Sequence, residues 1–311
     1  MEIRPADFER DAEGVVMLLR DASPLIVLSR EGWLHRARTI PERARQAAWV
    51  AVEEGSVVGN GWAFRSFFSD DATTAECTVL VARSHRRRGV GNALFEQVEE
   101  HLRTLGLPTA LTSFEESEEG KRFASAHGFR EHRAEIISAL DVRTIDEAPP
   151  PDVDIRPLTA IDPRLAYVVD LEATQDMPST VPIDDIPYDE WVGHVLDYPQ
   201  FAAAGSYVAF VDGRPAAVSL LIADEESGRS ANMFTGTARA YRGRGLGIAV
   251  KLASIRWAKE HGITQMATRN DESNAPMLAI NRRLGFHPAG RRVEWLREET
   301  ASSPAPPAPA T

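Results

Sequence analysis

Two stretches of this chain carry the residues of a phosphate seat. Arg86-Arg87-Arg88-Gly89-Val90-Gly91 and Arg242-Gly243-Arg244-Gly245-Leu246-Gly247 share the pattern Arg-x-x-Gly-x-Gly. Each follows an apolar, strand-like run and opens an amphipathic, helix-like run. Such a turn aims several backbone N–H groups at one point beside a helix N-terminus, where phosphate oxygens can be held. The glycines let the backbone approach those oxygens with no Cβ in the way. Neither turn is a Walker A loop, because no Gly-Lys-Ser/Thr follows at the required spacing. Neither has the third glycine of Gly-x-Gly-x-x-Gly, so a dinucleotide fingerprint fails as well. The chemistry on offer is that of a phosphate-bearing cofactor.

The elements around the turn occur twice too. Ile3-Arg4-Pro5 is echoed by Ile155-Arg156-Pro157, an offset of 155 − 3 = 152. Gly55 and Gly213 close similar turns 158 residues apart, Gly89 and Gly245 are 156 apart, and Gly128-Phe129 matches Gly285-Phe286 at 157. Four landmarks in one order at nearly one spacing mark two homologous domains, drifting only as loop insertions would. The expected division is 1–145, a Pro-rich linker over 146–152, a second domain over 153–299 and a disordered Ala/Pro tail over 300–311. Pro149-Pro150-Pro151 disfavours helix and central strand and makes a short stiff spacer. The tail is too poor in apolar residues to offset its ordering entropy.

Within the first copy, Asp11 to Leu19 reads as a helix, and Ala47 to Val52 and Val57 to Phe64 read as a hairpin around Glu54-Gly55. Thr78 to Ala82 is a strand that runs into the first turn. Val90, Leu94, Val98, Leu102 and Leu105 then recur at helical spacing up to Gly106. A strand over Thr109 to Ser113, a helix over Gly120 to Ala126 and a strand over Ile136 to Leu140 complete it. The second copy repeats this order with a hairpin around Asp212-Gly213, a strand over Ala231 to Thr237, a helix lined by Leu246, Val250, Ala253 and Trp257, a strand over Gln265 to Thr268 and a helix over Ala275 to Leu284. Hairpins before each turn and a crossover after it predict an α+β fold: two tandem domains, each a mixed, mostly antiparallel sheet flanked by helices.

Composition sets outer limits. A net charge of −11 argues against nucleic acid as a partner and favours cationic small molecules. The single cysteine, Cys77, excludes an intramolecular disulfide framework and a cysteine-rich zinc site, and no metal site is expected. No run is long and apolar enough to span a membrane, so the expectation is a cytoplasmic chain without membrane partners. A duplicated chain already forms a pseudo-dimer, which predicts a monomer or weak homodimer.

Strand, Arg-x-x-Gly-x-Gly, helix, strand, and a helix ending in Gly-Phe is a layout that resembles the GNAT N-acetyltransferase superfamily over essentially residues 1–299. The second half adds Thr235-Gly236-Thr237, Asn270-Asp271-Glu272-Ser273-Asn274-Ala275-Pro276-Met277 and Asn281-Arg282-Arg283-Leu284-Gly285-Phe286, which look like a group of actinobacterial tandem acetyltransferases that includes relatives of mycothiol synthase. The first half lacks the Asn-rich approach to its last helix. The resemblance implies acetyl-CoA as cofactor. It implies that N–H groups of Arg87 to Gly91 (Arg87, Arg88, Gly89, Val90, Gly91) and of Gly243 to Gly247 (Gly243, Arg244, Gly245, Leu246, Gly247) hold its pyrophosphate, with Arg86 and Arg242 adding charge. It implies that Val79, Leu80 and Val81 in one half, and Thr235, Gly236 and Thr237 in the other, pair with the pantetheine arm, which Asn274 also contacts.

The implied reaction is direct attack of a neutral amine on the thioester carbonyl, with a general base worth ~10²–10⁴-fold. Many members carry a Glu on the strand before the turn; Glu76 stands one residue off, which faces it the other way, and the second half has Asn232 there. Glu272 is the nearest carboxylate among the second-half motif residues. Many members also carry a Tyr four residues before the final Gly-Phe, where its hydroxyl meets the departing sulfur. Here Ala124 and Asn281 hold those positions, and Asn281 retains a hydrogen-bond donor. The second half keeps both turn and Asn-rich helix, so catalysis is expected there. The implied acceptor is a primary amine of a small molecule; a protein N-terminal or lysine acceptor, or a non-catalytic acetyl-CoA sensor, are the alternatives.

Overall fold

The computed structural model describes residues 1–69, 73–150 and 152–298. The expected tail lies outside the described residues. The first half runs β1 (Glu2–Pro5), α1 (Phe8–Ala22), α2 (Arg30–Thr39), β2 (Ala47–Glu53), β3 (Ser56–Arg65), β4 (Thr74–Val81), α3 (Val90–Leu105), β5 (Thr109–Glu115), α4 (Glu118–Ala126) and β6 (Arg130–Asp141). The second runs β7 (Asp154–Pro157), α5 (Arg164–Thr174), α6 (Tyr188–Trp191, continued by a π turn over Val192–Leu196), β8 (Tyr207–Val211), β9 (Arg214–Asp224), β10 (Arg229–Thr237), α7 (Leu246–Glu260), β11 (Gln265–Asp271), α8 (Ala275–Arg283) and β12 (His287–Glu298).

Local chemistry explains the ends of these elements. Asp7 and Ser29 cap α1 and α2 by accepting from the amides of Arg10 and Gly32. Glu54-Gly55 and Asp212-Gly213 turn the two hairpins with positive φ at both positions, 52° and 79°, then 51° and 73°. That pair of left-handed residues suits the twist of the flanking strands.

The twelve described strands form one sheet in the order β1-β2-β3-β4-β5-β12-β6-β11-β10-β9-β8-β7. Among them only β4–β5 and β10–β11 are parallel pairs. The centre of the sheet is an exchange. β12, last in the second half, lies between β5 and β6 of the first, pairing Val293 with Phe114 on one side and Ala134 on the other. β6 in turn pairs with β11, from Gln265–Asp141 to Asp271–Glu135. The cores interlock accordingly. Val293 and Trp295 pack with Ala63, Phe95 and Val98, while Leu140 and Val142 pack with Leu252 and Met266.

One buried carboxylate stands out on the face opposite α7. Asp170 on α5 accepts from Trp191 Nε1 at 2.5 Å and from Thr174 Oγ1 at 3.3 Å, and burial pushes it up from 3.8 to about 6. Asp170 therefore keeps its proton in the fold at pH values where the unfolded chain has released it. Its contribution is full below pH 3.8 and is lost as pH rises through about 6. At 1.36 kcal/mol per pH unit the upper limit is about 3 kcal/mol. Asp170→Asn keeps an acceptor for Trp191 and removes the titration. Its denaturation midpoint should exceed that of the wild type at pH 7.5, by about 1–2 kcal/mol, and match it near pH 4. An equal difference at both pH values would show that ionisation is not the cause.

Candidate active site

Each glycine turn sits between the end of a strand and the start of a helix. Arg87, Gly89, Gly243 and Gly245 have positive φ of 61°, 85°, 77° and 76°, and α3 and α7 begin directly after Gly89 and Gly245. A Cβ built on Gly89, Gly243 or Gly245 meets no atom within 4 Å, so the space beside these positions is open in both turns. The leading arginines are clamps. Arg86 Nε donates to Val81 O at 3.1 Å, and Arg242 Nε donates to Thr237 O at 3.0 Å, which folds each turn back onto its strand. The far ends of the guanidinium groups differ. Arg86 bridges to Glu119 at the start of α4 at 2.8 Å, while Arg242 reaches Asp176 after α5 at 2.6 Å. Asp176, shared with Arg239, is held down at about 2 by these partners.

On the way to the turns the parallel pairs come apart. β4 and β5 pair only from Thr74–Thr109 to Cys77–Thr112, and β10 and β11 only from Arg229–Gln265 to Ala231–Ala267. Past those points each pair splays and leaves unpaired backbone on both walls. The second splay has an extra feature: the β9–β10 register shifts between Asn232 and Phe234, leaving Met233 as a bulge. The β3–β4 register has no such break. The bulge sits at the inner end of the splay, a position where bulges re-aim neighbouring groups.

The strand registers allow the two splays to be matched residue by residue, and their linings are opposite in kind. On the α7 side, Asn232 donates to Ser219 Oγ at 2.9 Å and accepts from Thr235 Oγ1 at 2.7 Å. Ser254 meets Ser219 at 3.0 Å. Lys251 Nζ donates to Asn281 Oδ1 at 2.5 Å, and Asn281 Nδ2 donates to Asn270 Oδ1 at 2.7 Å. In the first half the matching positions are Cys77 for Asn232, Gly61 for Ser219, Val79 for Thr235, Val98 for Ser254, Phe95 for Lys251, Ala124 for Asn281 and Phe114 for Asn270. Phe123 lies against Gly91, 3.2 Å from where a Cβ would stand, and the rings of Phe95, Phe123 and His127 pack edge-on or tilted with centroids 4.0–6.0 Å apart. One splay is lined with hydrogen-bonding groups, and the other is filled with rings.

This twice-used frame of splayed strands and glycine turns agrees with a family model: the acetyltransferase (GNAT) family matches residues 15–129 and again 170–286. The chain belongs to the GNAT acetyltransferase family. Two curated relatives are mycothiol acetyltransferases. The one from Parafrankia sp. (strain EAN1pec) is 24% identical over 73% of this chain and 77% of its own length. The one from Thermobifida fusca (strain YX) is 25% identical over 90% and 88%. Among solved structures, a tandem GNAT protein from the clavulanic acid biosynthesis pathway superposes with a TM-score of 0.72 at 22% identity, covering 97% of this chain and 99% of that one. A GCN5-related N-acetyltransferase from Sphaerobacter thermophilus gives 0.70 at 20% identity, covering 96% and 95%. Both likenesses establish the tandem GNAT fold.

The GNAT fold distributes the sequence-derived residues unevenly. Gly243 to Gly247, Thr235 to Thr237 and Asn281 converge on the second splay. Arg86 to Gly91 and Val79 to Val81 converge on the first. Asn274 caps α8, its Oδ1 accepting from Met277 N at 3.2 Å. Glu272, past the end of β11, is paired with Arg291 at 2.7 Å, and Arg291 also serves Glu116 and Glu131. Glu76 faces away from α3, and burial raises its carboxyl, the charge of Glu294 adding to this and that of Arg292 opposing it. Four strand steps separate β4 from β11 in the sheet, about 19 Å at ~4.8 Å each, so Glu76 belongs to the first splay alone. Asn281 is buried with both ends of its amide engaged. Sequence reasoning missed Lys251, although a lysine four residues after Gly247 in an otherwise apolar helical run was a visible signal.

The second splay passes a chemical test for acetyl-CoA. An open glycine turn at a helix N-terminus suits a pyrophosphate, unpaired strand edges suit the amides of a pantetheine arm, and polar groups line the end where a thioester would lie. The first half has the turn but lacks the polar lining.

Proposed function

We propose that the chain is an acetyl-CoA-dependent N-acetyltransferase whose working site is the second splay and whose acceptor is a primary amine of a small molecule. The observation that carries this reading is the contrast between the linings: hydrogen-bonding side chains in one splay, aromatic rings in the other. In this reading the N–H groups of Gly243 to Gly247 hold the pyrophosphate. The free edges of Thr235 to Thr237 hold the arm, and Asn281 presents an amide donor at its inner end. When bound, acetyl-CoA supplies a thioester whose carbonyl an amine attacks. Around Arg291, Glu116, Glu131 and Glu272 form a cluster with Lys121 as its second cation. Its surplus of carboxylates favours a cationic acceptor approaching the mouth of β11. The curated relatives support a small acceptor through their name, mycothiol acetyltransferase.

Thiol release from acetyl-CoA, measured across amino sugars, amino acids, polyamines and short peptides, tests the reading. Release with one class of free amine is expected. Acetylation of lysate proteins with no turnover of free amines would replace it with a protein acceptor. Tight acetyl-CoA binding with neither would replace it with a sensor.

A further inference from the structure

Beside the second splay lies a buried cation that the proposed transfer leaves unused. Lys251 is 1% exposed in the middle of α7. Its Nζ donates to Asn281 Oδ1 at 2.5 Å and lies 4.9 Å over the Phe286 ring. This hydrogen bond fixes the Asn281 amide: with the oxygen turned to Lys251, the nitrogen faces β11 and donates to Asn270 Oδ1 at 2.7 Å. An amide nitrogen carries two hydrogens, and Asn270 takes one. Burial alone lowers the Lys251 ammonium to about 7; no carboxylate, histidine or second cation from α8, β9, β10 or β11 contributes. The matching pair in the first half is Phe95 and Ala124.

A buried ammonium without a counter-ion is costly to keep, and an apolar residue of similar volume would be cheaper. What it offers is a positive charge for an anion that forms nearby, and such an anion in turn favours the protonated lysine. The splay has its inner end at Ala231–Ala267, and Asn270 stands on its β11 wall. An extended arm seated at Gly243 to Gly247 and lying in the splay passes Asn270, with the Asn281 amide behind it. We propose that Lys251, acting through Asn281, holds the sulfur of the released coenzyme A as its thiolate. This rests on the reading that the second splay seats acetyl-CoA. In the transfer the nitrogen–carbon bond forms, the carbon–sulfur bond breaks and its electron pair goes to sulfur. The ammonium proton passes to solvent, and the sulfur departs without needing one. Lys251 is then a positioning residue, and the Asn281 Nδ2–H is the group that faces the sulfur.

The test uses coenzyme A itself. The near-ultraviolet absorbance of its thiolate is titrated on the full chain, as a difference from the chain alone so that Cys77 cancels. A free thiol ionises at about 8.5. Bound to the wild type it is expected to ionise at least tenfold more readily, about one pH unit lower, than bound to Lys251→Met. Affinity for coenzyme A at pH 6, where the thiol is neutral, should change less than about threefold. Should Lys251→Met not fold, Asn281→Ala with Lys251 intact carries the same expectation for the thiol midpoint alone. Equal thiol midpoints in wild type and variant overturn the proposal while leaving the acetyl-CoA seat standing. Coenzyme A that fails to bind the wild type overturns both.

Discussion

Gly245→Val should raise the KM for acetyl-CoA by about 30-fold or more, whereas Gly89→Val should leave it within about twofold. The two positions have the same shape: φ of 76° and 85°, open space where a side chain would point, and a helix starting at the next residue. In either turn a side chain strains the left-handed backbone by roughly 1–2 kcal/mol. At Gly245 the side chain also enters the space that phosphate oxygens need. Each charge-assisted N–H···O bond that fails to form there costs about 1.5–3 kcal/mol. A combined loss of about 2–4 kcal/mol corresponds to roughly 30- to 1,000-fold in affinity. At Gly89 no binding is forfeited in this reading, because the first splay carries Val79, Phe95 and Phe114 where the second carries Thr235, Lys251 and Asn270, and the cofactor is taken by the second turn. Steady-state kinetics with acetyl-CoA as the varied substrate checks both variants, and thermal melts confirm that they fold. Equal losses at the two glycines would mean that both turns take the cofactor.

The whole chain should unfold in a single transition, despite its two copies. Trp295 is the sharpest probe. It lies in the last strand of the second half, yet it is buried against Phe114 in the core that also contains Ala63, Phe95 and Val98. Trp295→Ala removes a buried aromatic ring, a change that costs about 3–5 kcal/mol. Scanning calorimetry should then show one peak moved bodily to lower temperature, with calorimetric and van't Hoff enthalpies in agreement. If one half melts early while the other keeps its midpoint, the halves are independent and the exchanged strands contribute little.

Much of each half was legible because its signals are local. Glycine turns, Glu54-Gly55 and Asp212-Gly213 hairpins, and helical spacing from Val90 to Leu105 all act within a few residues of themselves. What escaped depends on distant partners. β12 spans His287 to Glu298 but contains a proline, a glycine and three arginines, so only Val293 and Trp295 mark its buried face. The charged positions beside them find distant partners: Arg292 donates to Ser113 on β5, and Glu294 accepts from Thr180 in the segment between α5 and α6, pairings no spacing foretells. α2 was also unread: its run of Arg, His and Trp has no clear apolar stripe, and its cap at Ser29 ties to Gln200 of the other half. The bulge at Met233 had a faint trace. Cys77 matches Asn232 at an offset of 155, and Val79 matches Thr235 at 156, one residue gained within a single strand. Only part of the polar lining was legible: motifs supplied Thr235, Asn270 and Asn281, whereas Ser219 and Ser254 sit in apolar runs and meet only when sheet and helix close.

Because β6 lies along β11, one flank of the polar splay is built from the copy whose own cleft is packed with rings. That copy carries Phe95 and Phe114 where the other has Lys251 and Asn270, yet it is not dispensable. Excising it would leave the surviving cleft with a raw edge where β6 had been and would strand β12 without β5 on one side and β6 on the other. The doubling is in this sense a ratchet: with the last strands crossed, neither copy closes its sheet without the seam it shares with the other, so a single copy cut from this chain would lack strands that its fold requires.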